Sequence, residues 1–263
     1  MDRNGIILAA HRGDRKKNPE NTMPAFYASL EAGVDMIETD IHLTKDGHLI
    51  IMHDRSALRT AGVDRFVDEM TLDEVKELDV GVLFSEDFRG TRVPTVIEFM
   101  EWIKDTPLLI NWELKDYPAY VGDEHAFRAA DMLLDLIGKY GLEDRSMVNS
   151  FSDRVLEHIY NRCGHRYPIH GQGIYHCPKT KDVPDVPEKE LFDWCCMYAN
   201  EKGHSPLEYP ENFKYCIDHG IKPCVCLADT EEVYKAAIEL GCRMFTSNDI
   251  YEADRVMRAL GVR

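Results

Sequence analysis

The chain has 263 residues, of which 44% are hydrophobic and 30% are charged. This composition is typical of a globular protein and excludes a wholly disordered or fibrous chain. The formal net charge of −16 argues against nucleic acid or an anionic membrane as a partner, because phosphate contacts are built from lysine and arginine. A length near 250 residues fits one α/β barrel at least as well as two smaller domains.

Two features of the sequence bear on the compartment of the protein. No stretch reaches the ~18 apolar residues of a membrane span, and the short apolar run at residues 6–10 does not resemble the core of a secretion signal. We therefore expect a cytoplasmic protein without stable membrane insertion. All eight cysteines lie beyond residue 160. Their spacing does not match structural zinc motifs, which favours free buried thiols over a zinc site or a functional disulfide.

Apolar runs and amphipathic stretches alternate along the chain, and this alternation predicts strands and helices in turn. Strands are predicted at residues 6–10, 36–42, 49–53, 108–114, 147–150, 168–173, 194–199, 222–227 and 243–246. Helices are predicted at residues 23–32, 71–78, 94–104, 123–140, 153–162, 206–219, 230–240 and 249–260. Thr95 and Glu98 have the spacing of a capping box at the start of one helix.

The alternating pattern predicts an α/β fold, the (β/α)8 TIM barrel, over residues 1–263 as a single domain. Nine candidate strands are one more than this barrel needs, and we expect strand 194–199 to be the extra one. A looser, more polar stretch at about residues 55–93 is interpreted as a small insertion after the third strand.

Polar side chains stand at the ends of the first four predicted strands, where barrels of this type form their active sites. They are His11, Arg12, Glu38, Asp40, His53, Glu113 and Lys115. Side chains alternate along a strand, so Glu38 and Asp40 share one face, as do Glu113 and Lys115. If these faces point inward, three carboxylates meet and cannot all stay ionised without compensation. A hard divalent cation with oxygen ligands, Mg²⁺ or Ca²⁺, would supply it.

Five motifs occur in a fixed order in the first half of the chain. They are Ala10-His11-Arg12-Gly13, Pro19-Glu20-Asn21-Thr22, Glu38-Thr39-Asp40, His53-Asp54 and Glu113-Leu114-Lys115. Together they resemble the glycerophosphodiester phosphodiesterase family over roughly residues 6–155. The resemblance implies a barrel with an insertion after the third strand, and metal-dependent hydrolysis of glycerophosphodiesters to sn-glycerol 3-phosphate and an alcohol.

The same resemblance assigns roles to individual positions. It implies that Glu38, Asp40 and Glu113 bind one divalent cation, and that His11 and His53 are the general acid–base pair, with the acid and the base left open. It also implies that Arg12 and Lys115 contact the phosphate, and that Asn21 lies close to these groups.

The chain departs from the family pattern late in its sequence. The seventh strand carries Val225-Cys226-Leu227-Ala228-Asp229 in place of a Trp-Thr-Val-Asn-like run, and the last strand carries Thr246-Ser247-Asn248-Asp249 in place of Thr-Asp-x-Pro. We expect neither departure to touch the metal or histidine positions. His42 shares its parity with Glu38 and Asp40, and is expected to lie beyond the barrel mouth and to be dispensable.

Two other functions remain open from the sequence. One is a barrel phospholipase that acts on lysolipids or phosphoinositides, and the other is a non-catalytic barrel that binds phosphate esters. Each has a small molecule as its partner. The preferred head group and the oligomeric state do not follow from the sequence.

Overall fold

The structure is a computed structural model that describes residues 5–172, 185–198, 206–228 and 230–263. Cys177, residue 173 of one predicted strand and residue 199 of another lie outside the described residues.

Nine strands and eleven α-helices are present in these segments. The strands are β1 (Ile7–His11), β2 (Met36–Leu43), β3 (Leu49–Ile51), β4 (Leu109–Leu114), β5 (Ser146–Ser150), β6 (Ile169–Gly171), β7 (Trp194–Tyr198), β8 (Lys222–Cys226) and β9 (Met244–Ser247). The helices are α1 (Met23–Glu31), α2 (Leu58–Ala61), α3 (Leu72–Lys76), α4 (Val96–Ile103), α5 (Pro118–Val121), α6 (Asp123–Lys139), α7 (Asp153–Cys163), α8 (Glu188–Leu191), α9 (Pro210–Asp218), α10 (Glu231–Glu239) and α11 (Ile250–Ala259).

Eight of the strands form a closed parallel barrel, which confirms the predicted (β/α)8 fold. Its order is β1-β2-β4-β5-β6-β7-β8-β9, and β9 pairs with β1 to close the ring. The extra strand is β3, which pairs antiparallel with β2, whereas β7 is a barrel strand. The prediction that residues 194–199 are the extra strand was therefore wrong. The reason is the short connection at residues 44–48, because a parallel crossover needs about a dozen residues or more.

The insertion follows β3 in the chain and packs on a small apolar cluster of its own. Helices α2 and α3 and two 3₁₀ turns, Val67–Glu69 and Glu86–Phe88, lie in this segment. The cluster members are Ile50, Met52, Ala57, Val67, Met70, Val75, Leu78, Val80 and Val93. Since β3 is outside the ring, the insertion connects the second and third barrel strands.

Side chains that point into the barrel change from apolar to polar along each strand. The apolar bottom of the lumen is made by Ile7, Ala9, Met36, Leu109, Met147, Trp194, Cys196, Cys224 and Met244. On β2, Met36 is followed on the same face by Glu38 and then Asp40. On β4, Leu109 is followed on the same face by Asn111 and then Glu113. The two-residue period of the strands thus places the polar groups together at the carboxyl end of the barrel.

Two smaller features concern the helices. The predicted helix 206–219 is a 3₁₀ turn, Pro206–Glu208, followed by α9, because Pro210 starts a new helix and has no N–H to continue the earlier turn. Within the described residues, no helix has both the length and the apolar character needed to cross a bilayer.

The capping box at α4 is confirmed, and it gives a stability test. The Glu98 N–H donates to Thr95 Oγ1 at 3.0 Å, and the Thr95 N–H donates to the Glu98 carboxylate at 2.7 Å. We expect Thr95→Ala to lower the free energy of unfolding by about 0.5–2 kcal/mol, measured by urea titration. Thr95→Ser keeps the hydroxyl and should retain most of this stability. Equal losses in the two variants would contradict a capping role.

Candidate active site

Three carboxylates lie together inside the barrel mouth. Glu38 and Asp40 come from β2 and Glu113 comes from β4, and their exposed fractions are 2%, 1% and 6%. One oxygen of each lies within 4.8 Å of one oxygen of the other two. Burial, followed by repulsion from Asp40 and Glu113, raises the pKa of Glu38 well above its ordinary value. The predicted cluster is therefore present, and its negative charge is concentrated on buried oxygen atoms.

Two basic side chains partly compensate this charge. Lys115 Nζ lies 2.6 Å from Glu113 Oε1 and 3.4 Å from Asp40 Oδ1, and Arg12 Nε lies 3.4 Å from Asp40 Oδ2. Burial acts to raise the pKa of Asp40, but Lys115 and Arg12 outweigh it and hold the pKa below its ordinary range. Asn21 Nδ2 also donates to Asp40 Oδ2 at 2.7 Å. The structure thus brings Asn21, Arg12 and Lys115 to the carboxylates, as expected.

The cluster still has acceptor atoms to spare. Glu38 Oε1 and Asp40 Oδ1 are buried and accept no hydrogen bond, although Lys115 Nζ lies 3.4 Å from Asp40 Oδ1. Buried carboxylate oxygens without donors are costly, and a divalent cation is the partner that oxygen atoms in this arrangement fit best. The residues present therefore fit a hard divalent cation, with Glu38, Asp40 and Glu113 as its protein ligands.

His11 ends β1 beside this cluster. Its Nε2 lies 3.9 Å from Glu38 Oε2, and its Nδ1 lies 2.5 Å from Asn248 Oδ1. Burial, followed by the charge of Arg12, lowers the pKa of His11 to about 3. The expectation that the late departures from the family pattern stay clear of the site was wrong. Asn248 contacts His11 directly, and Leu227 lines the same small cavity as His11 and Glu38.

His53 reaches the mouth by a different route. The β2–β3 hairpin extends past the barrel mouth and turns back, so that the Met52 N–H donates to the Asp40 carbonyl at 3.0 Å and His53 follows at the level of the carboxylates. His53 Nδ1 lies 2.5 Å from Asp54 Oδ1. Asp54 in turn accepts from Arg59, which also binds Glu20.

His42 lies close to His53 and is fully buried. Its Nδ1 lies 2.6 Å from Asp116 Oδ1, and its Nε2 lies 3.3 Å from the backbone carbonyl oxygen of His53. Asp116 also accepts from the Leu43 N–H at 2.7 Å. These contacts connect the hairpin that carries His53 to Asp116 and favour a positioning role for His42; that His42 is dispensable stays a prediction.

The backbone around the mouth is unusual. Among the described residues, Arg12, Asn21 and Leu227 are the non-glycine residues with positive φ, at 59°, 56° and 64°. For Arg12 and Leu227 this left-handed backbone costs of order 1 kcal/mol each. In Arg12 it lets the N–H reach both the Glu38 carbonyl and Glu38 Oε2, each at 3.0 Å.

Sequence reasoning gave no role to several residues that the structure places beside the site. They are Glu20, Asp54, Arg59, Asn149 and Asn248. Glu20 and Asp54 stand inside quoted motifs, so their position next to Asn21 and His53 was a usable signal. Arg59 carried no such signal, because it lies in the insertion and reaches Glu20 only through the tertiary fold.

The chain is similar to proteins of one family. The family described as "Glycerophosphoryl diester phosphodiesterase family" matches residues 11–248. A glycerophosphodiester phosphodiesterase of Caldanaerobacter subterraneus subsp. tengcongensis is 41% identical over 92% of this chain and 94% of its own length. The fold is similar to the crystal structure described as "Putative glycerophosphoryl diester phosphodiesterase" from Silicibacter pomeroyi DSS-3. The match covers 99% of this chain and 96% of that chain, with a TM-score of 0.82 at 23% identity. An Oleispira antarctica phosphodiesterase, solved with the product sn-glycerol-3-phosphate, covers 97% of both chains with a TM-score of 0.78 at 18% identity.

The contact between His42 and the His53 carbonyl gives a second prediction. We expect His42→Ala to lower kcat by about tenfold or more through misplacement of His53, with KM changed much less. His125→Ala removes a more exposed partner of Asp116, 3.4 Å away, and serves as the control with a smaller effect. The measurement is the steady-state kinetics of both variants, and a wild-type kcat in His42→Ala would confirm the prediction that His42 is dispensable.

Proposed function

The chain belongs to the glycerophosphoryl diester phosphodiesterase family, and we propose that it hydrolyses glycerophosphodiesters to sn-glycerol 3-phosphate and an alcohol. The observation that carries this proposal is that three buried carboxylates lie beside His11 at the barrel mouth, with His53 close enough to act electrostatically on Asp40. The substrate is a small molecule. The cation is Mg²⁺ or Ca²⁺, because all three protein ligands are carboxylates.

The charges of the site suit a phosphodiester. Three carboxylates, one divalent cation, Arg12 and Lys115 leave one net positive charge, which matches a single negative charge on the substrate. When bound, the cation supplies positive charge that stabilises the transition state at the phosphate. Lys115 and Arg12 are within 3.4 Å of Asp40, which supports their proposed contact with the phosphate. They orient its oxygens and add to the same stabilisation.

We assign one proton transfer to each histidine on the basis of its hydrogen-bond partner. In our assignment, His11 Nδ1–H donates to Asn248, which leaves the Nε2 lone pair on the side of Glu38 to accept a proton from the nucleophile. His53 Nδ1–H donates to the Asp54 carboxylate, so Nε2 is the nitrogen left for proton transfer to the substrate. His53 is then the acid that protonates the departing alcohol. Together these assignments make His11 the general base and His53 the general acid.

A second candidate function rests on the insertion. Leu83 and Phe84 are 59% and 45% exposed and line a groove with Arg15, Glu20 and Arg59. This apolar rim favours a lysolipid whose acyl chain lies along the groove while its phosphodiester enters the mouth.

The proposed compartment is the cytoplasm. Seven cysteines in the described segments are free thiols, which is typical of proteins in a reducing compartment. The proposed domain organisation is one barrel domain with the insertion at about residues 55–93.

Removal of the cation tests the function. We expect turnover of glycerophosphocholine to stop in EDTA and to return with Mg²⁺ or Ca²⁺. Asp40→Asn should lose both activity and the rise in Tm that Mg²⁺ causes in the wild-type protein, because the cation stabilises only the state that binds it. Faster turnover of lysophosphatidylcholine than of glycerophosphocholine would favour the second candidate. Turnover that persists unchanged in EDTA would exclude the cation from the mechanism, and no turnover of either ester with added cation would point to a binding protein.

The histidine assignment has its own test. We expect His11→Ala and His53→Ala each to lower kcat on glycerophosphocholine by about 10²–10⁴-fold while the Mg²⁺-induced rise in Tm remains. A glycerophosphodiester with a nitrophenol leaving group needs no acid, so it should rescue His53→Ala and not His11→Ala. Rescue of His11→Ala instead would exchange the two roles. The wild-type pH–rate profile should be bell-shaped, with limbs that belong to the coupled pair.

A further inference from the structure

A second cluster of metal-binding side chains lies lower in the barrel lumen, apart from the carboxylates. His170 on β6, Cys196 on β7 and Cys224 on β8 are each at most 1% exposed. One ligand atom of each lies within 4.8 Å of the other two. Parallel barrels normally fill this space with branched apolar side chains. An imidazole and two thiols on three neighbouring strands are not needed to fill it.

The distances within the cluster suit a small soft cation. His170 Nε2 lies 3.1 Å from Cys224 Sγ, and Cys196 Sγ lies 2.7 Å from Cys226 Sγ. Ligands of a tetrahedral zinc ion, at Zn–S of about 2.3 Å and Zn–N of about 2.0 Å, stand roughly 3.5–3.8 Å apart. His170 Nε2 and Cys224 Sγ would move apart by about 1 Å or less to admit the ion. Cys226 Sγ contacts Cys196 Sγ, but Cys226 is not among the side chains whose ligand atoms all lie within 4.8 Å of one another, so the protein ligands are His170, Cys196 and Cys224.

The Nδ1 atom of His170 has a hydrogen-bond partner, as is usual for the second nitrogen of a metal-bound imidazole. The side-chain amide of Asn111 lies 3.2 Å from His170 Nδ1, and Asn111 Oδ1 is buried without a hydrogen bond. Amide oxygen and nitrogen exchange places by a simple rotation of the side chain. After it, Asn111 Oδ1 accepts from His170 Nδ1–H, and the Nε2 lone pair points at the sulfur atoms.

Charge explains why such an ion is tolerated in an apolar lumen. Zn²⁺ with the thiolates of Cys196 and Cys224 and a neutral imidazole carries no net charge, which avoids the large cost of burying an isolated ion. On binding, the two thiol protons leave to solvent as the two Zn–S bonds form. Entry is from the mouth, because Asn111 and Cys226 both line the small cavity under His11 and Glu38.

We propose that His170, Cys196 and Cys224 form a zinc site in the barrel lumen, distinct from the carboxylate site. The zinc site has no recognisable spacing in the sequence, because its ligands come from three strands that lie together only in the closed barrel. The site ties β6, β7 and β8 to one another below the active-site cavity. It is independent of the hydrolytic activity and does not rest on it.

Cobalt spectroscopy on the whole protein tests this proposal. With Mg²⁺ in excess to occupy the carboxylates, we expect titration with Co²⁺ to produce a thiolate-to-cobalt charge-transfer band that saturates near one equivalent. Added Zn²⁺ should abolish the band. Carboxylate ligands give no such band, so the readout separates the two sites. Absence of the band in the wild-type protein overturns the proposal, as does a Cys196–Cys226 disulfide found by mass spectrometry in the protein purified without reductant.

Matched variants locate the ligands. Cys196→Ser and Cys224→Ser should each lose the charge-transfer band and retain far less zinc after dialysis. Cys216→Ser replaces a buried cysteine in the layer between barrel and helices and should keep both. Circular dichroism establishes that each variant is folded. If a variant does not fold, the titration of the wild-type protein still tests the proposal. A band of unchanged intensity in folded Cys224→Ser contradicts the proposal.

Discussion

Repulsion among Glu38, Asp40 and Glu113 is the constraint on which the rest of the site depends. Three carboxylates that are almost fully buried cannot share a pocket unless positive charge and hydrogen-bond donors surround them. The barrel supplies these from several strand ends and loops, with Lys115 after β4 and Arg12 and Asn21 after β1. The groups that compensate the charge of the cluster are those that a phosphodiester would meet in the proposed function, so the same charges would stabilise the fold and bind the substrate.

The barrel holds this site by dividing its lumen along the strand direction. Apolar side chains such as Met36 and Leu109 occupy the bottom, and Glu38 and Glu113 follow on the same faces of the same strands. A shift of one residue in the register of β2 would turn its carboxylates toward the helices. The six residue pairs between β2 and β4 fix that register. Strand pairing therefore determines that the carboxylates point into the barrel lumen.

The sequence allowed much of this to be predicted, and its failures have physical causes. Strand ends and the alternation of side chains placed Glu38, Asp40 and Glu113 together, because both are local properties of a strand. Strand β3 was predicted, but its antiparallel direction was not, since an apolar run looks the same in either direction. The contact between His11 and Asn248 spans 237 positions and depends on closure of the ring by β1 and β9. No local pattern encodes such closure.

The β2–β3 hairpin has a consequence for how heat and denaturant act on the protein. His11 sits on a barrel strand supported by the main core, whereas His53 sits on a segment held by the separate apolar cluster of the insertion. Small clusters open at lower free energy than the core of a barrel. If His53 takes part in catalysis as proposed, opening of the insertion would displace it from His11 while the barrel remains folded. The insertion would then set the highest temperature at which the protein is active, and loss of activity would not require the barrel to unfold.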